Sequence, residues 1–263
     1  MDRMELIRTR RSVRTFDGRP LSKEDVSGLC AYMQEITNPY GIPVRFLLLD
    51  AKEHGLSSPV IVGESCYVTA KVDKVPHSEE AYGYSFEKLV LYAWSLGIGT
   101  TWIGGTMKRS LFEQAADVQG NEWMFCVSPL GYPAEKMSVR ESVMRRTIKA
   151  DERKSAEQLF FDRDFSTPLN TKDEKLLDVL EMVRLAPSAT NSQPWRIVRD
   201  GDAFHFYLAH TKGYTDKAGW DMQKIDMGIA LCHFMGTLSG ELVLSDPGIP
   251  TAEGTEYIAT VKV

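Results

Sequence analysis

The sequence predicts a chain of two similar halves, each mixing helices with strands. Three observations predict it. Stretches with apolar residues at helical spacing alternate with short apolar runs bounded by turn residues. Residues 168–173 (PLNTKD) echo residues 20–25 (PLSKED), 148 positions earlier. Arg196-Ile197-Val198 echoes Arg45-Phe46-Leu47, 151 positions earlier. Two landmarks in the same order at nearly equal offset argue for a duplicated unit. The alternative is that two unrelated helix–strand stretches share a coarse pattern.

Taken in order, Asp2 with Glu5 resembles a capping box for a short first helix. Pro20 and Ser22 open a second helix, with Val26, Leu29, Cys30 and Met33 predicted on one face. Residues 44–49 read as a buried strand and residues 65–71 as another. A long helix carries Tyr82, Phe86, Leu89, Val90 and Ala93 on one side, with Gly97 placed just past its end. Residues 100–103 read as a strand ending at Gly104-Gly105, and residues 124–127 as one more. In the second half, Thr171 with Glu174 is placed to cap a helix whose apolar face is Leu176, Leu177, Leu180 and Val183. A second long helix starts near Lys224 and presents Ile225, Gly228, Ile229 and Cys232. Closing strands are expected at 242–244 and 257–263.

Composition excludes several classes. Of the 263 residues 43% are hydrophobic and 25% charged, ordinary values for a globular protein. A net charge of −5 does not favour nucleic acid or an anionic membrane. No apolar run approaches the roughly 20 residues of a membrane span, and the N-terminus has no apolar core of a secretory signal. Cys30, Cys66, Cys126 and Cys232 are far apart and form no CxxC, so they read as buried reduced thiols in a cytoplasmic protein. There is no GxxxxGK[ST], no GxSxG and no HExxH. Gly97-Ile98-Gly99 starts like a dinucleotide motif, but Trp102 stands at the third glycine and the segment follows a helix. No metal site is expected, and each histidine reads as a surface or satisfied core residue.

Two segments carry positive signals. Arg10, Arg11 and Arg14 lie within five residues, with Ser12 among them. Guanidinium forks and a hydroxyl suit a phosphate group; a solvated, charged helix end has the same composition. Residues 186–195 (APSATNSQPW) connect a helix to a strand. Pro187 and Pro194 stiffen the connection, and its small residues let backbone amides approach a ligand.

These segments resemble motifs of the nitroreductase family of FMN enzymes. Residues 10–16 (RRSVRTF) resemble its opening motif, and 186–195 its second, APSSxNxQPW. Residues 96–105 (LGIGTTWIGG) look like the third, 129–133 (PLGYP) like the late GYP loop, and Arg153-Lys154 with Glu157 like the C-terminal RKPxEE segment. The order departs from the family: residues 36–43 lack the second motif where it is expected, and the second half has only Asp162-Arg163-Asp164 where an RRSxR would stand. The match is closest to fused, single-chain members, with halves 1–155 and 156–263 forming a pseudo-dimer. The resemblance implies an α+β fold, each half a mostly antiparallel sheet flanked by helices. It implies one FMN site built by both halves in a monomer that mimics a dimer. Arg10, Arg11, Ser12 and Arg14 would hold the phosphate and ribityl chain, with Arg153 adding to the phosphate site. Pro187, Ser188, Ala189 and Asn191 would line the flavin, and Gly104 and Gly105 would present backbone N–H groups to it. The implied activity is hydride transfer from NADH or NADPH through FMN to a small acceptor, a nitroaromatic or a quinone. No side chain is assigned as a catalytic acid or base. The alternatives are a flavin-binding or flavin-sensing module with little turnover, and non-reductive flavin chemistry or dehalogenation.

Overall fold

The computed structural model describes residues 2–211 and 219–263. In chain order the elements are α1 (Arg3–Thr9), α2 (Lys23–Glu35), β1 (Val44–Asp50), β2 (Cys66–Asp73), α3 (Ser78–Ser95), α4 (Arg109–Ala115), β3 (Glu122–Trp123), β4 (Val127–Leu130), α5 (Val139–Thr147), α6 (Ala156–Leu159), β5 (Phe160–Asp162), α7 (Glu174–Arg184), β6 (Trp195–Asp200), β7 (Ala203–Ala209), α8 (Met222–Thr237), β8 (Glu241–Val243) and β9 (Thr255–Lys262). They form two units. The first comprises Thr9–Ser78 and Ser85–Ala150, the second Asp2–Arg8, Glu79–Tyr84 and Asp151–Val263. The change of unit thus falls at 150/151, and two short segments of the N-terminal half count with the second unit.

In the first unit Ser22 starts α2: its hydroxyl accepts the Asp25 N–H, and Glu24 and Asp25 sit in the first turn, where the helix dipole favours negative charge. Leu29 and Met33 are buried, but Val26 and Cys30 are exposed. The inward stripe instead runs through Tyr32, which stacks on Tyr92 at 4.1 Å. β1 and β2 are antiparallel, and β2 also pairs with β3 and β4. β1 is half-exposed, with Leu49 alone fully buried, so its apolar run does not mark a buried strand. On α3, Tyr82, Phe86, Leu89, Val90 and Ala93 are all buried, and Gly97 follows in the left-handed conformation (φ 75°). Residues 100–103 form no strand: Thr100 and Ile103 make single bridges to Ser12 and Val127. The strand expected at 124–127 begins instead at Val127.

The second unit is a five-stranded sheet ordered β5-β6-β7-β9-β8, with β5–β6 the parallel pair. α7 is capped by Asp173, whose carboxylate accepts from Lys175 and Leu176 N–H; Thr171 accepts from Asp173 one step earlier. Asp173 wins because it directly precedes the first helical residue. Leu176, Leu180 and Val183 are buried with Val179 and Met182, while Leu177 is exposed. α8 is buried continuously from Ile225 to Phe234. Phe204 and Phe206 of β7 pack on its Phe234. α1 joins this unit through Arg8, whose guanidinium donates to Asp178 (2.6 Å), and Arg3, which donates to Gly236 O (3.3 Å).

Among the described residues no disulfide forms; Cys126 and Cys232 are buried, but Cys30 is exposed. His205 bonds Thr260 and His233 bonds Met182 O, both at 2.8 Å in the core. Among the described residues no helix is long and apolar enough to cross a membrane.

Candidate functional site

The arginine segment of the first unit is extended chain stitched on both sides. Val13 N–H donates to Thr100 O (2.8 Å), Phe16 N–H to Val62 O (2.8 Å), Val62 N–H to Arg14 O (2.9 Å) and Asp17 N–H to Tyr132 O (3.0 Å). Val13 and Phe16 drop into the core. Gly99 and Gly131 stand where they do because of this segment: a Cβ would lie 2.8 Å from Val13 Cβ and 2.9 Å from Phe16 Cδ1. Tyr132 anchors the same loop to α2, bonding Asp25 and accepting from Ser22 N–H (3.0 Å).

The arginine side chains are held close to charge without being hydrogen-bonded to it. The Arg10 side chain is 5% exposed, with Nε 3.8 Å from Glu87 Oε1. Arg11 Nη1 lies 3.7 Å from Glu141 Oε1. Both separations exceed hydrogen-bond length. Arg14 is 8% exposed. Arg10 Nε, Arg11 Nη1 and Arg14 Nη1 are buried and have no hydrogen-bond partner in the protein. Glu141 is fixed from another side by the Thr15 hydroxyl (2.8 Å). Burial lowers the pKa of Arg10, with Glu87 opposing and Arg145 adding to the effect. It lowers that of Arg14 too, with Glu141 opposing and Arg145 again adding. Arg145, on α5, is the cation that sequence reasoning missed; its one signal was the basic pair Arg145-Arg146 in the last turn. Three guanidinium groups thus lie beside two carboxylates, with Arg145 near enough to weigh on Arg10 and Arg14. Buried donors left without acceptors are costly, and such donors suit a phosphate group.

Gly104 and Gly105 follow the Ile103 bridge, which exchanges two 2.9 Å bonds with Val127. Arg109 fixes this turn, donating to Gly104 O (3.1 Å) and Phe125 O (2.9 Å). Gly105 is exposed.

In the second unit Ala189–Asn191 form a single 3-10 turn. Thr190, Asn191 and Gln193 all have left-handed backbone (φ 48°, 60° and 49°). None is glycine; Thr190 and Gln193 each cost roughly 1–2 kcal/mol in that conformation, and Asn191, whose short amide tolerates it, less. The loop is held from several directions. Ser188 Oγ accepts Gln193 N–H (2.9 Å). Asn191 Oδ1 accepts from Arg153 Nη1 (3.3 Å), and its amide donates to Glu152 O (2.9 Å). Lys154 N–H donates to Gln193 Oε1 (2.8 Å), and Lys154 Nζ to Ser192 O (2.8 Å) and Gln193 O (3.2 Å). Burial beside Arg196 lowers the Lys154 pKa to about 8. Asp226 of α8, 3% exposed, accepts Ala189 N–H on both oxygens (3.0 and 3.2 Å). Burial pushes its carboxyl well above the usual range, against the pull of the Ala189 N–H. Sequence reasoning missed Asp226, and it quoted Lys154 and Gln193 within motifs without assigning either a role.

The structure therefore brings Arg10, Arg11, Ser12 and Arg14 onto one braced segment of the first unit, where Gly104 and Gly105 also lie. It brings Arg153, Pro187, Ser188, Ala189 and Asn191 together in the second, with Arg153 bonded to Asn191. Among the described residues no group of three or more His, Cys, Asp or Glu converges as a metal-ligand set.

Each unit runs helix, antiparallel hairpin, long helix and returning strand, the second hairpin strand central, which defines an α+β protein of nitroreductase-like fold. A family model described as "Putative TM nitroreductase" matches residues 2–237. The chain belongs to that family, and hence to a group of oxidoreductases. A "putative nitroreductase" of Thermotoga maritima has a similar solved structure, at 21% identity and TM-score 0.60, covering 100% of this chain and 94% of that one. An FMN-dependent nitroreductase of Clostridium difficile is similar over 52% of this chain and 92% of its own, at 18% identity and TM-score 0.43. A nitroreductase family protein of Clostridium novyi is similar over 51% and 87%, at 15% and 0.44. No curated protein matches the sequence.

Proposed function

We propose that this chain is an FMN-dependent oxidoreductase that passes hydride from NADH or NADPH to a small acceptor, a nitroaromatic or a quinone. The observation that carries the reading is the set of buried, unpartnered guanidinium nitrogens on Arg10, Arg11 and Arg14. With Ser12 they would take the phosphate and ribityl chain, and Arg145 would add positive charge. Arg153, Pro187, Ser188, Ala189 and Asn191 are the ligand-facing set of the second unit. Gly104 and Gly105 would offer backbone N–H groups that favour negative charge on a reduced ring. FMN, when bound, supplies the hydride-accepting chemistry. The protein's part is to bind, orient and neutralise. The residues proposed to meet the ring are Ser188, Asn191 and backbone amides, none of them a general acid or base, so positioning rather than proton transfer sets the barrier. The two units are proposed to be duplicated copies, 1–155 and 156–263, acting as a cytoplasmic monomer.

The test is reconstitution. Purified chain should take up FMN in preference to FAD, at one per chain, and light scattering should give about 30 kDa, the mass of a single 29.6 kDa chain. Anaerobic NADH or NADPH should bleach the bound flavin. Uptake of two per chain, uptake of none, or a flavin that neither nucleotide reduces would overturn the reading.

A further inference from the structure

Asp226 does one thing. It is a fully buried carboxylate on an otherwise apolar stretch of α8, and both of its described hydrogen bonds come from the Ala189 N–H. A carboxylate in such a place is expensive, and an apolar side chain of similar volume would ordinarily pack there at lower cost. What it holds is the start of the loop whose next residues, Thr190 and Asn191, are forced into left-handed backbone. Strain of this kind persists only where surrounding contacts over-determine it. Ser188 precedes Ala189 in extended conformation (φ −145°, ψ 161°), so the Ala189 amide is the hinge between a relaxed and a strained stretch.

We infer that Asp226 is a positioning residue for the cofactor-facing loop, acting through the Ala189 N–H to set the placement of Ser188 and Asn191. The inference rests on the reading of that loop as a flavin contact. It goes further in naming a residue outside the loop that controls it. The geometry makes Ala189 and Asp226 a coupled pair: removing either partner should release the same constraint.

The experiment is a double-mutant cycle read by FMN affinity, measured as quenching of flavin fluorescence. Asp226→Leu deletes the acceptor while keeping the volume. Ala189→Pro deletes the donor at the first position of the turn, after an extended residue, where proline is tolerated. Each single change should weaken FMN binding roughly tenfold, the scale of a hydrogen bond to a charged group, and the double change should be no worse than either alone. Asp226→Asn, which keeps one acceptor oxygen, should restore most of the affinity. If Asp226→Leu does not fold, Ala189→Pro and Asp226→Asn carry the test. Wild-type affinity in the Leu and Pro variants, or losses that add in the double variant, would overturn the inference alone. A wild-type chain that binds no FMN would overturn the reading beneath it, and this inference with it.

Discussion

The two units solve the same connection, from a helix to the first strand of a hairpin, in opposite ways. In the first unit, α2 reaches β1 through a loop that closes on itself. Asn38 accepts from Tyr40 and Ile42 N–H and donates to Ile42 O (2.7 Å) and Ser85 Oγ (3.1 Å). Its one left-handed residue is Gly41, where that conformation is nearly free. In the second unit, α7 reaches β6 through a loop with three left-handed non-glycine residues, held from outside by Asp226 and residues 152–154. The arginines are likewise uneven: three buried unpartnered nitrogens in the first unit, none at the equivalent Asp162-Arg163-Asp164 of the second. The strained loop and the unpartnered arginines thus fall on the residues proposed to meet a ligand, and the relaxed loop does not.

The comparison breaks most visibly at the strands after these loops. Trp195 is buried completely, whereas Val44, its counterpart 151 positions earlier, is half-buried. Trp195→Ala should lower stability by about 3–5 kcal/mol and Val44→Ala by under about 1 kcal/mol, read from chemical denaturation. Equal losses would mean that the two positions do not differ in depth as their burial indicates. Next in size is the phosphate set. Arg11→Ala or Arg14→Ala should weaken FMN binding by roughly 1.5–3 kcal/mol while sparing riboflavin. Arg163→Ala, in the second unit, should leave both ligands unaffected. Equal losses for FMN and riboflavin would show the first two acting through folding.

Smaller effects sharpen the loop contrast. Asn38→Ala should cost about 1 kcal/mol of stability and leave FMN affinity alone. Asn191→Ala should cost about the same but lower FMN affinity too, because the Asn191 side chain is engaged by Arg153, Glu152 and Gln193. The smallest concerns Lys154. Its folded pKa, about 8, is below the ordinary lysine value, so between these limits the unfolded chain binds more protons. Its contribution therefore favours the folded state above pH 10.5 and is lost as pH falls through 8. Melting temperatures from pH 7 to 10 should show this upward component in wild type and not in Lys154→Met.

Helices were legible where side chains themselves carry the period. The Tyr82–Ala93 stripe of α3 and Leu176, Leu180 and Val183 of α7 were readable because burial follows spacing there. Val26, Cys30 and Leu177 met the same spacing and stayed exposed, since the stripe of a short helix rotates with what it packs against. Residues 100–103 looked like a strand because β-branched and aromatic residues suit any extended chain, whether or not a ladder forms. In the site, the arginine triplet and the 186–195 loop stood out by residue type. Asp226 and Arg145 did not: their roles depend on contacts 37 residues away in one case and about 130 in the other. Nor did composition reveal the strain at Thr190 and Asn191, since no glycine marks it.

The first helix has a consequence for synthesis. Arg8 finds its partner 170 residues downstream and Arg3 finds Gly236 233 residues downstream. On the ribosome, at about 5–20 residues per second, α1 must wait on the order of ten seconds or more for those partners to be made. Until then α1, whose Leu6 and Ile7 are buried in the finished fold, lacks both of these bonds. The second unit is thus completed by a segment translated well before the rest of it, and nascent chains stalled before position 236 should keep that segment open to protease or claimed by a chaperone.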